Sequence, residues 1–236
     1  MANQRFPVNS FVAASKEFKN DPNLTSAISN MTYAPNKYTR LMYASKVGDI
    51  ERAITLITAG ANINAESITD GSTALSFACK MGHTQLVRIL LDSGADVNAR
   101  DISGYTALMR ASFIGDKELV ELFITSGASL DVQCTDIGNT ALIIACKENL
   151  TEIADLLIKA GADVNKATSY NDATPLMWAA FNGNMEITRN LVSAGADVTE
   201  EQLSAKGWDA SMYAKINNHK SVYEYLKSVK NLTGGS

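Results

Sequence analysis

Apolar residues recur along this chain on a helical period, in short bursts that come in pairs. Leu75, Ala78 and Cys79 stand at i, i+3 and i+4, so they share one face of a helix. Past Gly82, a second face is drawn by Leu86, Val87, Leu90 and Leu91. Gly94-Ala95 closes that run, and a polar segment follows before the pattern starts again. The pairs open on Thr39, Thr73, Thr106, Thr140 and Thr174, spaced by 34, 33, 34 and 34 residues. They close on Gly60-Ala61, Gly94-Ala95, Gly127-Ala128, Gly161-Ala162 and Gly195-Ala196. A fixed period of this size predicts stacked helix-turn-helix units. Neither helix of a unit is long enough to hold alone in water, so stacking must supply the stability.

The punctuation agrees with the period. A threonine before each first helix can cap it, its hydroxyl accepting from an amide of the first turn. Asp209 occupies that slot in a weaker sixth unit and caps equally well. Pro175 follows Thr174 at the first helical position, where a missing amide costs little. The first helices are expected to end in the left-handed conformation at Gly48, Gly82, Gly115 and Gly183. Asn149 and Asn218 fill the same slot, and asparagine is the next most tolerant residue there. Turn-forming stretches such as Asp101-Ile102-Ser103-Gly104 join the units.

This pattern resembles the ankyrin repeat. It is carried by Asp101 to Leu108, then Ala111, Gly115, Leu119-Val120 and Gly127-Ala128, with the cleanest tail at Leu90 to Asn98. The resemblance implies an all-α ankyrin-repeat solenoid of helix-turn-helix units with hairpin-like loops. Five repeats are expected over 35–204. Residues 205–230 read as a degenerate sixth repeat or C-terminal cap, through Gly207-Trp208-Asp209-Ala210, Ala214, Asn218, Val222 and Leu226. Residues 231–236 read as a flexible tail. Residues 1–34 lack the signature. Phe6, Val8, Phe11 and Val12 share one helix face, and Asp21-Pro22 suits the start of a second helix with Leu24, Ala27, Ile28 and Met31. This segment is read as a degenerate helical cap on the first repeat. One departure from the family stands out. Its usual first-helix histidine is replaced by Met42, Ser76, Met109, Ile143 and Met177, so packing must replace the hydrogen bonds that histidine would make.

Composition narrows the function. Of 236 residues, 46% are hydrophobic and 19% charged, which is enough for a core, and the net charge of −4 gives no basic footprint for nucleic acid. No apolar run approaches a membrane span. Cys79, Cys134 and Cys146 are an odd number without close pairing. They read as small buried residues in a reducing, cytoplasmic setting. His83 and His219 follow the helix-ending Gly82 and Asn218, where a structural role is expected. No metal pattern or phosphate loop is present, so no cofactor and no enzyme activity are expected. Family members can have the last asparagine of the Gly-Ala segment hydroxylated in animal cells, and Asn64, Asn98 and Asn165 stand at that place. Their plainer reading is as turn residues.

Ankyrin-like stacks present loop tips and first helices as a concave binding surface. A helical wheel of the second repeat puts Phe77 and Lys80 opposite the small face of Ala78, Cys79 and Gly82. Extended to the other units, the wet stripe and loop tips nominate Phe77, Lys80, Met81, Tyr105, Arg110, Phe113, Ile114, Lys147, Trp178 and Phe181. Aromatic residues and arginine are the usual anchors of interfaces. The expectation is a monomeric scaffold binding a protein or peptide that carries apolar groups and carboxylates. Two alternatives share the same stack: an inhibitor or immunity protein that blocks an enzyme's active site, and a structural segment of a larger protein.

Overall fold

The computed structural model describes residues 32–33, 38–199 and 203–233. It divides into two compact units, 1–96 and 97–236. The expected helical cap at 1–34 lies almost wholly outside the described residues. Thr32–Tyr33, the part of that segment that is described, forms a short strand, β1, paired antiparallel with β2 (Tyr38–Thr39). Apart from this two-residue pairing, the described elements are helices, as the all-α ankyrin expectation has it.

In the first unit β2 runs straight into α1 (Arg40–Val47), because extended Thr39 is also its N-cap. Helices α2 (Ile50–Thr58), α3 (Ala74–Lys80) and α4 (Thr84–Asp92) complete the unit. First helix α1 packs on first helix α3, and second helix α2 on second helix α4. The second unit repeats the arrangement. Its first helices are α5 (Ala107–Ile114), α7 (Ala141–Lys147), α9 (Pro175–Asn182) and α11 (Ala210–Ile216). Its second helices are α6 (Lys117–Thr125), α8 (Thr151–Lys159), α10 (Met185–Ser193) and α12 (Lys220–Thr233). Each first helix packs on the next first helix and on its own partner. Helix α12 reaches Thr233, so the first residues of the expected tail are helical.

The caps are where the sequence put them. Thr39, Thr73, Thr106, Thr140 and Thr174 each accept from the amide three residues on, at 3.2 or 3.3 Å, and Asp209 does so at 2.8 Å. Asn149 and Asn218 are left-handed, with φ of 59° and 63°. The residues in the family's histidine slot, Met42, Ser76, Met109, Ile143 and Met177, are all buried. At Met42 the sulfur takes over part of the polar duty, accepting from the Thr39 amide at 3.3 Å. The small slot is filled by Ser45 and Cys79 in the first unit and by Ser112, Cys146 and Ala180 in the second, all fully buried. That lets neighbouring first helices approach closely.

Polar side chains tie adjacent repeats within each unit. In the first, Asn64 accepts from the Asp96 amide and donates to the Gly94 carbonyl. In the second, Asn98 accepts from Ser129, and Asn165 from Asp197. The loop hairpins of the second unit also join edge to edge. Thr135 donates to the Ser103 carbonyl, Ser169 to Ile137 and Ala205 to Asn171, at 2.8 to 3.1 Å.

Candidate functional site

Each first helix ends with residues that its stack does not cover. In the first unit, Lys80 and Met81 at the end of α3 are exposed, as expected. Phe77 is not: it is only 6% exposed and lies edge-on to Tyr38, ring centroids 4.7 Å apart. Phe77 therefore corrects the predicted stripe. The Tyr38 ring packs on it and, with its neighbours, keeps it from water.

In the second unit, α5 leaves Phe113 at 62% and Ile114 at 49% exposure. Lys147 at the end of α7 is exposed, and Phe181 at the end of α9 is 41% exposed. Tyr105, Arg110 and Trp178 are half-buried, which modifies their expected roles. Arg110 is turned inward to the buried carboxylate of Asp101 and lies over the Tyr105 ring. Its charge is largely committed to holding the loop. Tyr105 is tied to the next hairpin. Burial, Cys134 and Asp136 push its hydroxyl up to about 12, against the opposing pull of Arg110. That phenol stays protonated at any physiological pH.

Further along the same unit the structure assembles a row of rings that the sequence stripe only half indicated. Trp178 meets Phe181 at 5.9 Å, Phe181 meets Tyr213 at 6.4 Å, and Tyr213 meets Trp208 at 5.5 Å, all edge-to-face. A cation sits at each end. The Lys147 ammonium lies 5.5 Å above Trp178, and that of Lys206 lies 5.1 Å above Trp208. Asn171, Ala173, Met177, Trp178, Phe181, Lys206 and Tyr213 line a cavity of about 160 Å³ beside the row. Sequence reasoning missed Tyr213, Trp208 and Lys206. The signal was available for two of them: Tyr213 fills in the sixth unit the slot of Trp178, and Trp208 the loop-tip slot of Tyr105.

Both histidines pack against helix-ending glycines. The His83 ring lies against Gly48, and the His219 ring against Gly183. Among the described residues no three His, Cys, Asp or Glu side chains are grouped to hold a metal ion. No described helix is long and apolar enough to cross a membrane.

A family model described as ankyrin repeats in three copies matches residues 11–101, 41–134, 108–202 and 167–233. No curated protein matches the chain.

Proposed function

This chain belongs to the ankyrin repeat family, and we propose that it is a non-enzymatic scaffold that holds a protein or peptide partner against the exposed ends of its first helices. Ankyrin repeats are in general protein–protein interaction modules. The reading includes a monomer working in the cytoplasm.

The observation that carries it is the neighbouring pair Phe113 and Ile114, 62% and 49% exposed on one helix end. Fully burying a phenylalanine or isoleucine is worth about 1.5–3 kcal/mol each. A surface that forgoes this at two adjacent positions, with Lys147 and Phe181 exposed in the following repeats, resembles an interface more than a solvated face.

The test is a pull-down with the whole chain as bait, run beside a Phe113→Asp/Ile114→Asp variant of equal thermal stability. A partner held by the first and lost by the second, and then rebound by the purified bait, supports the reading. Partners retained equally by both baits, or none at all, overturn it. If the captured partner is an enzyme, its activity in the complex separates scaffolding from inhibition.

A further inference from the structure

We infer that the ring-lined cavity of the second unit seats one leucine- or phenylalanine-sized side chain of a partner segment, with acidic residues on both sides of that side chain. This rests on the protein-binding reading above and narrows it to one spot and one chemistry.

Size comes first. An apolar cavity of about 150 Å³ takes up a benzene molecule. The cavity here is about 160 Å³, room for a single ring or branched alkyl group and not for a length of backbone. Its walls suit such a group: Met177, Trp178, Phe181, Tyr213 and Ala173 supply apolar surface, and Asn171 and Lys206 form a polar edge. The Asn171 carbonyl oxygen already accepts from the Thr168 hydroxyl at 2.6 Å. Its amide N–H groups can then meet a partner's backbone carbonyl at the rim.

Charge decides the flanks. Lys147 and Lys206 stand at opposite ends of the ring row, each over an indole. Neither forms an ion pair with a described carboxylate, although the field of Lys147 reaches Asp136. A cage of aromatic rings would otherwise suit a quaternary ammonium group. Here Lys206 is itself a lining residue of the cavity, and its positive charge disfavours a cation there. A carboxylate gains at either end, and because the cations sit at both ends, the partner's acids belong on both sides of the apolar residue. A chain-terminal carboxylate would engage only one of them.

The experiment uses the full chain and short capped peptides on one neutral backbone, read by fluorescence anisotropy. The probes are a phenylalanine flanked by glutamates, the same with glutamines, an alanine flanked by glutamates, and a phenylalanine flanked by trimethyllysines. The glutamate–phenylalanine peptide should bind, and the other three should bind at least about tenfold more weakly. Lys147→Glu and Lys206→Glu, both at exposed positions, should each weaken it by at least about tenfold. They should leave the glutamine peptide unaffected. Equal binding of the glutamate and glutamine peptides, preference for trimethyllysine, or indifference to both lysine reversals overturns the inference. A partner captured through Phe113 whose affinity ignores Lys206→Glu and Tyr213→Ala leaves the broader reading standing and refutes this site. Tight glutamate-peptide binding here, with no partner that depends on Phe113, does the reverse.

Discussion

The imidazole of His219 occupies the space that a side chain on Gly183 would need. A Cβ on Gly183 would run into Nδ1 of that ring, while Nε2 sits 3.0 Å from the carbonyl of Phe181. One histidine thus packs on the stop of the preceding repeat's first helix and meets an end carbonyl of that helix. His83 likewise packs against Gly48 in the first unit, but its buried Nε2 meets no carbonyl among the described residues. Gly183 is left-handed at φ 70°, so it serves twice, as the helix stop and as the floor for the ring.

This relation separates two glycines that share a left-handed backbone. Gly183→Ala should lose the about 1–2 kcal/mol of left-handed strain and, in addition, displace His219. At Gly195, φ is 91° and an added Cβ meets nothing within 4 Å, so Gly195→Ala should show the strain alone. Urea melts of the two variants should rank them in that order. Equal losses would mean that the ring moves aside freely.

Phe113 and Phe181 occupy equivalent slots but should respond differently to truncation. Phe113→Ala is expected to leave stability within about 0.5 kcal/mol, as for an exposed side chain. Phe181 touches both Trp178 and Tyr213, so Phe181→Ala should lose about 0.5–1.5 kcal/mol for each ring pair broken. Once a partner is in hand, each should cost about 2 kcal/mol of affinity. Calorimetric melts alongside a binding titration check both halves.

Asp209 gives the last repeat a pH dependence of definite sign. Burial opposes its charge, but the Met212 amide, the Ser211 hydroxyl and the Lys230 ammonium 3.1 Å away outweigh burial and hold its carboxyl below the usual value. A depressed folded-state value means the stabilisation is present above the unfolded value of 3.8 and is lost as pH falls through the folded one. Asp209→Ala should cost about 0.5–2 kcal/mol at neutral pH, and the gap to the parent should close in acid. Asp209→Asn keeps a capping acceptor and should lose less. Denaturant melts from neutral pH down to strong acid test this, and a gap that persists in acid would count against it.

A central repeat has a neighbour on each side and a terminal one does not. Helix α7 packs on α5, α8 and α9, whereas α12 packs only on α10 and α11 among its larger contacts. Leu142→Ala in α7 should cost about 2–5 kcal/mol, as for a fully buried leucine. Leu226→Ala in α12 should cost less and mainly fray the end, although Leu226 is nearly as buried. Hydrogen exchange resolved by helix would show fraying confined to α11 and α12.

Cys79, Cys134 and Cys146 are buried and none is joined in a disulfide. Burial also pushes the Cys146 thiol well above its ordinary value. The folded protein should therefore react slowly with a thiol reagent at mildly alkaline pH, and denatured protein should titrate three thiols at once. Fast labelling of the folded chain would contradict this burial.

The repeat was legible in the sequence because its signals are local. A threonine cap, a left-handed stop at glycine or asparagine and an apolar face at i, i+3 and i+4 each depend on backbone geometry within a few residues. Thr140, Asn149 and Leu142 accordingly behave as their spacing implied. The proposed contact surface was legible only in outline. A helical wheel puts Phe77 and Phe113 on the same broad side of their helices, away from the small buried face. Whether water or another ring waits there depends on residues far along the chain. Tyr38 covers Phe77, while Phe113 is left bare. The same holds for the cavity. Its walls come from α9 and α11 and from the loops that precede them, and only the stacking of one repeat on the next brings Trp178, Tyr213 and Lys206 together. Secondary structure follows from short-range chemistry, but exposure and ring contacts follow from packing, which no single repeat contains.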